Sequence, residues 1–321
     1  MQTDSSQHAA NPSLDVFDEP ARHLLESHVK QMGHSPTQLT PLIYAAIEAA
    51  KKLLADGPTF TSPRILLQTI TSRALIYLSG VLSQNKKWRR CSERIKSFSS
   101  IFLTGAGFSY GSDMPLSSIL GDVLTFCRVK DGEWGELRKD ANKCLLFKTQ
   151  FKVICDRRTP SVSHNLVIDN FPKYILEIIS LNWDNFFEAA ARSRGKNLNK
   201  ENEDRPTTNL RNLWKFHGDV ENIKNDNVKG QGGWVFPDEE GYVFTSFGTY
   251  IDQTCLKDQL FTFVIVGYSE NERVIYEKIT ALLETTPPRP TYRIGLDLKN
   301  LHDDNYIVGT SDFVLNKILP H

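Results

Sequence analysis

The second part of the chain alternates short apolar runs with helical stretches, and this alternation constrains the fold more than any other feature. From residue 98 onward four runs are rich in Ile, Val, Leu or Phe, and each is followed by Gly, Asn, Asp or Ser: Ser99–Thr104, Ile175–Leu181, Phe261–Val266 and Tyr292–Leu296. Such strands predict an α/β fold, with a parallel sheet covered by helices on both faces. Ligands of these sheets bind beyond the carboxyl ends of the strands, so the residues after each run are the candidate site.

The N-terminal part has a different pattern. Residues 1–18 are polar and predict a flexible tail, whereas residues 19–96 carry apolar residues at helical spacing. Within them Ser62-Pro63 resembles an N-cap followed by proline at the first helical position. We therefore expect a tail over 1–18, a helical segment over 19–96 that makes assembly or partner contacts, and an α/β domain over 97–321.

Composition excludes several classes of function. The 321 residues contain 38 Lys and Arg against 38 Asp and Glu, a balance that argues against a basic nucleic-acid binder. The locally basic stretch 86–96 is typical of a solvated helix face, and a nucleic-acid patch is the alternative. No apolar run approaches eighteen residues, and the polar N-terminus predicts no secretory signal. The five cysteines form no CxxC pair, which favours a reducing cytoplasm and neither disulfides nor a metal site.

Two strand ends carry candidate binding groups. The first strand runs into Thr104-Gly105-Ala106-Gly107-Phe108-Ser109, where the glycines let the backbone turn tightly and approach a phosphate. A tight turn without a ligand is the alternative. A later strand ends at Asn182-Trp183-Asp184, where two polar side chains can point into one crevice. The alternative is that they cap the helix predicted over 186–192.

His217 and two further segments complete the candidate site. His217 follows an alternating segment and precedes a glycine, so it is either a general base beside a bound sugar or a structural histidine. The segment Val266-Gly267-Tyr268-Ser269 repeats the order of strand, glycine and serine. Gly309-Thr310-Ser311-Asp312 precedes an apolar helix near the end of the chain.

In this order the motifs resemble those of the sirtuin family, and most closely its NAD-hydrolysing members in bacterial antiphage defence. The resemblance covers most of 98–321 and includes Pro160–Asn165, which is similar to the family's Pro-x-x-x-His segment. It implies a Rossmann-like, sirtuin-like domain without a zinc ribbon, with NAD+ as substrate and no metal. A protein of this kind cleaves NAD+ to nicotinamide and ADP-ribose, as a regulated, NAD-depleting effector.

The resemblance also assigns roles to residues. It implies that Thr104, Gly105, Ala106, Gly107 and Ser109 hold the diphosphate, and that Asn182, Asp184 and His217 are catalytic. By the same resemblance the adenosine half of the dinucleotide contacts Gly267, Ser269, Asp297 and Ser311. Asn182 would position water against the anomeric carbon, His217 would take a proton, and Asp184 would hold the nicotinamide carboxamide or orient its neighbours.

The chain departs from the protein deacylases of this family. They carry two CxxC pairs on a zinc ribbon, and this chain has none. Water is therefore the expected acceptor, with a deacylase and a non-catalytic NAD or ADP-ribose sensor as alternatives. Loss of nicotinamide leaves positive charge on the ribose, so the protein's task is to position groups and place dipoles near the sugar.

Regulation and partners are expectations of the same resemblance. An unrestrained NAD hydrolase harms its own cell, and relatives are often oligomers switched on by a HerA-like motor ATPase, an Argonaute-like protein or a phage component. We therefore expect a cytoplasmic homo-oligomer without membrane attachment and without direct nucleic-acid binding.

Overall fold

The fold is described from a computed structural model, which places residues 14–55, 62–112, 116–196, 198, 213–215, 217–221, 234–236, 261–267 and 290–320. Within these ranges the chain divides into two compact units. One comprises Met1–Gln84 with Leu296–Leu301, and the other Asn85–Gly295 with His302–His321.

The first unit is helical. A 3-10 turn over Leu14–Phe17 leads into α1 (Asp18–Gln31), which is followed by α2 (Pro36–Ala55) and α3 (Pro63–Leu82). Ser62 is the extended N-cap of α3 and Pro63 its first residue, as predicted, because proline lacks the N–H that the first turn leaves unpaired. Residues 14–18, which we assigned to the tail, are helical, because Phe17 is buried and Lys51 pairs with Asp15 and Asp18.

The second unit contains a parallel sheet of six described strands. They are β1 (Ser100–Thr104), β2 (Ile175–Ser180), β3 (Leu213–Lys215), β4 (Thr262–Val266), β5 (Thr291–Gly295) and β6 (Tyr306–Val308). Their order is β3-β2-β1-β4-β5-β6, and every described pairing is parallel. This is the Rossmann-like α/β fold that the strand pattern predicts, and all four predicted runs form strands. The strand order switches between β1 and β4: the strands that follow β1 lie on one side of it, and β4 and the later strands lie on the other. Ligands of such folds bind at this switch point.

Helices of the second unit join these strands. They are α4 (Asn85–Phe98), α5 (Leu116–Phe126), α6 (Trp134–Lys139), α7 (Ala141–Asp156), α8 (Val162–Asp169), α9 (Phe186–Ser193) and α10 (Ser311–Ile318), with a 3-10 turn at Ala106–Ser112. A further 3-10 turn, Leu298–His302, belongs to the first unit except for its last residue. β1 and β4 are buried along their whole lengths.

The boundary between the units lies before α4, earlier than the predicted boundary at residue 96. Trp88, Cys91 and Ile95 form the buried stripe of α4, and Trp88 packs edge-on against Phe313 of α10 with ring centroids 5.6 Å apart. These apolar contacts attach α4 to the α/β unit, because they bury its apolar face there.

One apolar stretch, Pro63–Phe98, has the length and composition to cross a membrane, and 28% of its most apolar window is buried. A core helix of a soluble protein meets the same criteria, and α3 buries Leu66, Ile70 and Leu78 among its neighbours. The stretch is weak evidence for a membrane span.

Candidate functional site

The glycine loop after β1 is bonded to the end of β4. The amide of Gly105 donates to the carbonyl of Val266 at 3.0 Å, and the amide of Gly107 donates to the carbonyl of Gly267 at 2.7 Å. Gly107 is exposed, whereas Phe108 and Ser109, the two residues that follow it, are buried. The loop therefore exposes the backbone of Gly107 at the crevice between β1 and β4, where the strand order switches. A phosphate-binding turn requires such an exposed backbone.

Gly267 is required by the backbone at this point. Its φ is +67°, and a Cβ there would collide with the backbone of Gly107 and Phe108. Only glycine permits both the left-handed conformation and this close approach.

We expect Gly267→Ala to open the contact between the two loops. The added methyl cannot be accommodated by a side-chain rotation, because the atoms it meets are backbone, so the free energy of unfolding should fall by about 2 kcal/mol or more. Urea unfolding measures this loss. Gly132→Ala is the matched control: its φ is also positive, but a Cβ there meets no atom of the described residues within 4 Å. Equal losses in the two variants would contradict a special role for Gly267.

A buried chain of hydrogen bonds joins the glycine loop to the end of β2. The Asn182 amide nitrogen donates to the carbonyl of Gly105 and to Oγ of Ser109, both at 3.0 Å. Ser109 Oγ in turn donates to Oδ2 of Asp184 at 2.7 Å. The structure thus brings together three of the predicted side chains, Ser109, Asn182 and Asp184, all of them buried.

Both carboxylate oxygens of Asp184 accept hydrogen bonds. Its Oδ1 accepts from the backbone N–H of Phe186 at 3.3 Å at the start of α9, while Oδ2 accepts from Ser109. Burial raises the pKa of Asp184, and the nearby Lys215 ammonium and the Ser109 hydroxyl act in the opposite direction.

The two ring nitrogens of His217 differ in their hydrogen bonding among the described residues. Its Nδ1 lies 2.8 Å from the carbonyl oxygen of Leu181, the residue before Asn182. A carbonyl can only accept, so Nδ1 carries the proton and Nε2 carries the lone pair. Nε2 is buried and has no hydrogen-bond partner among the described residues. Burial lowers the pKa of His217 to about 4, so the ring is neutral at physiological pH.

His164, at the start of α8, has the opposite tautomer. Its Nδ1 accepts from the backbone N–H of Ser161 at 3.3 Å, which leaves the proton of the neutral ring on Nε2. The ring is fully buried against Phe108 and Phe187, with centroids 4.8 Å away in each case, and burial lowers its pKa to about 3.

An aromatic cluster forms the far side of the Asn182–Asp184 turn. Trp183 points into it, and the indole N–H of Trp183 donates to the carbonyl of His217 at 2.8 Å. The other rings belong to Trp134, Phe147, Phe151, Trp234 and Phe236. The cluster was not predicted from the sequence, although a tryptophan between two polar residues is a signal that the turn packs on one side.

The described chain also contains a buried lysine that sequence analysis passed over. Lys215, the last residue of β3, has a side chain that is 2% exposed. Its ammonium donates to the backbone carbonyls of Trp183 and Asp184. A charge within the apolar run Leu213–Phe216 was the available signal, since buried charges are paired.

The remaining predicted residues fall into three groups. Thr104 ends β1, with Oγ1 3.4 Å from the carbonyl of Ile179, and Ala106 begins the 3-10 turn. Ser311 is buried at the start of α10 and donates to the carbonyl of Phe108 at 3.2 Å, which ties that helix to the glycine loop. Asp297 accepts from the N–H of Lys299 at 3.0 Å within its own turn, and Ser269 lies outside the described residues.

Within the described ranges, no group of three or more His, Cys, Asp or Glu side chains could hold a metal ion. The absence of a metal from the whole protein stays a prediction.

Comparisons with known proteins give a family match over part of the chain and several similar solved structures. The family model for the SIR2-like domain matches residues 176–304. Similar solved structures include a Sir2 homologue in complex with NAD (14% identity, TM-score 0.46, covering 72% of this chain and 91% of that one). Another was described for the mechanism and regulation of Sir2 enzymes (15%, 0.44, 73% and 97%), and a third is a mutant Sir2 homologue with ADP-ribose (14%, 0.42, 71% and 95%). No curated protein sequence matches the chain.

The family match extends from β2 to the turn before β6 and includes Asn182, Asp184 and His217. This part of the chain is therefore similar to a SIR2-like domain.

Proposed function

We propose that the protein is an NAD+ glycohydrolase that cleaves the bond between nicotinamide and ribose and releases ADP-ribose. The observation that carries the proposal is the arrangement of polar groups at the switch point of the sheet. Ser109, Asn182 and Asp184 form one hydrogen-bonded chain, and Nε2 of His217 in the adjoining loop has no hydrogen-bond partner in the part of the chain that the structure describes. The Sir2 homologues described with NAD and ADP-ribose are consistent with a dinucleotide in such a crevice.

The groups suit the chemistry of this reaction. Nicotinamide leaves as a neutral base from a cationic ring, so its departure needs no strong acid, and positive charge develops on the ribose. The Asp184 carboxylate and the oriented dipoles of Asn182 and Ser109 would stabilise that charge. Water adds to the anomeric carbon and loses one proton, which Nε2 of His217 would accept because Nδ1 is already protonated. Nicotinamide, ADP-ribose and a proton are the products.

A time course of NAD+ with the purified full chain tests the proposal, with nicotinamide and ADP-ribose separated by chromatography. Equal amounts of the two products in water support a glycohydrolase. O-acyl-ADP-ribose formed from an acylated peptide would identify a deacylase instead. Calorimetric binding of NAD+ without nicotinamide release would identify a sensor.

We also propose that the helical unit assembles the protein into a homo-oligomer or attaches a partner that controls the site. Its described surface exposes large apolar side chains, among them Leu53, Ile65 and Ile76 at 54%, 53% and 71%. Ile65 and Ile76 are eleven residues apart, close to three whole turns, so they share one face of α3. Exposed apolar faces of this kind often mark protein contacts. A role of such assembly in antiphage defence is part of this proposal.

Ile76→Lys is expected to reduce the molar mass measured by light scattering, because it places a charge in the apolar face without touching the core. Arg73→Lys on the same helix, at a side chain already charged, is the control. An unchanged mass in Ile76→Lys, or a wild-type chain that is monomeric at all concentrations, would contradict self-assembly through this face.

A further inference from the structure

The buried ammonium of Lys215 contacts oxygen atoms of three separate segments: the turn after β2, α9 and the loop of His217. It donates to the carbonyls of Trp183, at 3.3 Å, and Asp184, in the turn that carries the candidate catalytic side chains. The same ammonium lies 3.3 Å from Glu188 of α9 and 3.5 Å from Asp219, two residues after His217. The three charged side chains are 2%, 8% and 2% exposed.

We propose that Lys215 is a positioning residue that fixes the turn of Asn182 and Asp184 relative to the loop of His217. The expected effect on catalysis rests on the proposed function, whereas the positioning of the turn by Lys215 does not. Without the ammonium, these carbonyls would lose a donor that links their turn to β3, α9 and the His217 loop. Other contacts between the turn and the loop would persist, among them Val220 N–H to the Trp183 carbonyl at 2.9 Å.

A chemical role for the Lys215 amine does not fit its surroundings. Burial alone would lower the pKa of Lys215, but Glu188, Asp219 and Asp184 together raise it, so the group is an ammonium at physiological pH. A protonated amine with no lone pair is neither a nucleophile nor a base. A purely stabilising role is also a poor explanation, because buried ion pairs contribute little net stability compared with apolar replacements.

The test separates loss of the ammonium from loss of one charge partner. Lys215→Met alone leaves Glu188 and Asp219 buried without their cation and is prone to misfold. The triple variant Lys215→Met, Glu188→Gln, Asp219→Asn removes all three charges together. Glu188→Gln alone keeps the ammonium on both carbonyls. Lys152→Met is the matched control, since Lys152 also pairs with two carboxylates, Asp156 and Glu221, at the surface.

We expect the folded triple variant to release nicotinamide at least about 100-fold more slowly, with KM changed by less than about threefold, because misplacement by about an ångström has effects of this size. Glu188→Gln should lose less than about fivefold. A triple variant with unchanged kcat, or Glu188→Gln as slow as the triple variant, would overturn the proposal.

Hydrogen–deuterium exchange gives a second readout that does not depend on catalysis. Peptides covering residues 181–187 should exchange faster in the triple variant than in wild type, while peptides of α1 and α2 should not change. If wild type releases no nicotinamide, the proposed function fails, and the exchange data still decide whether Lys215 holds the turn. Unchanged exchange over 181–187 would overturn the positioning role even in an active enzyme.

Discussion

Replacing His217 with Ala is expected to slow nicotinamide release by about 100-fold to 10,000-fold, the range that positioned general bases contribute. The reason is the tautomer that the Leu181 carbonyl imposes, which leaves Nε2 as a proton acceptor. Chromatographic rates at saturating NAD+ measure the effect. Calorimetry should show that the variant still binds ADP-ribose, because the glycine loop does not involve this ring.

Two further variants complete that experiment. Asn182→Ala should lose a comparable factor, because its amide holds both Ser109 and the carbonyl of Gly105. His23→Ala replaces a histidine that is 67% exposed on α1 and should keep the wild-type rate. Normal NAD+ consumption by both site variants would contradict the mechanism. If the circular dichroism spectrum shows that His217→Ala is misfolded, His217→Gln takes its place.

The second large effect is a loss of stability in mild acid. Burial lowers the pKa of His217 to about 4 and that of His164 to about 3, against 6.5 for an ordinary histidine. The unfolded chain therefore binds protons that the folded chain excludes. Stability is complete above about pH 6.5 and is lost as the pH falls towards 4. At about pH 4.5 each ring should cost about 2.5 kcal/mol, a large part of the stability of an ordinary domain.

Urea unfolding at about pH 7.5 and 4.5 measures this loss. Asp184 acts in the opposite direction, because burial raises its pKa and protonation in acid relieves the cost of its buried charge. The variants His164→Gln and His217→Gln isolate the imidazoles, and each should reduce the acid loss by about 2.5 kcal/mol relative to wild type. If the free energy of unfolding falls equally in wild type and in both variants between these pH values, protonation of the two rings does not destabilise the fold and the prediction is wrong.

The strand pattern identified most of the sheet, and the exceptions have physical reasons. Runs such as Phe261–Val266 are long and apolar enough to predict a buried strand without further information. The strands Leu213–Lys215 and Tyr306–Val308 have three residues each, too few for a periodic pattern. They form because a neighbour already in the sheet supplies the hydrogen bonds, which is information that only the tertiary structure contains.

The candidate site was predictable where it depends on short motifs at strand ends. Ser109, Asn182 and Asp184 follow two different strands, and parallel topology brings them to one edge. Lys215 was not predictable in the same way, because its partners come from a turn, a helix and a loop. The tautomers of His164 and His217 likewise depend on backbone groups that no spacing in the sequence specifies.

The order of the strands has a consequence for the timing of synthesis. The central strand β1 pairs with β4, which leaves the ribosome only after the intervening strands and helices. Gly107 therefore cannot meet Gly267 until β4 has left the ribosome, and pairings this distant in sequence form slowly. The edge of the sheet that carries the candidate site is therefore completed only when β4 joins β1, β2 and β3, which precede it in the chain.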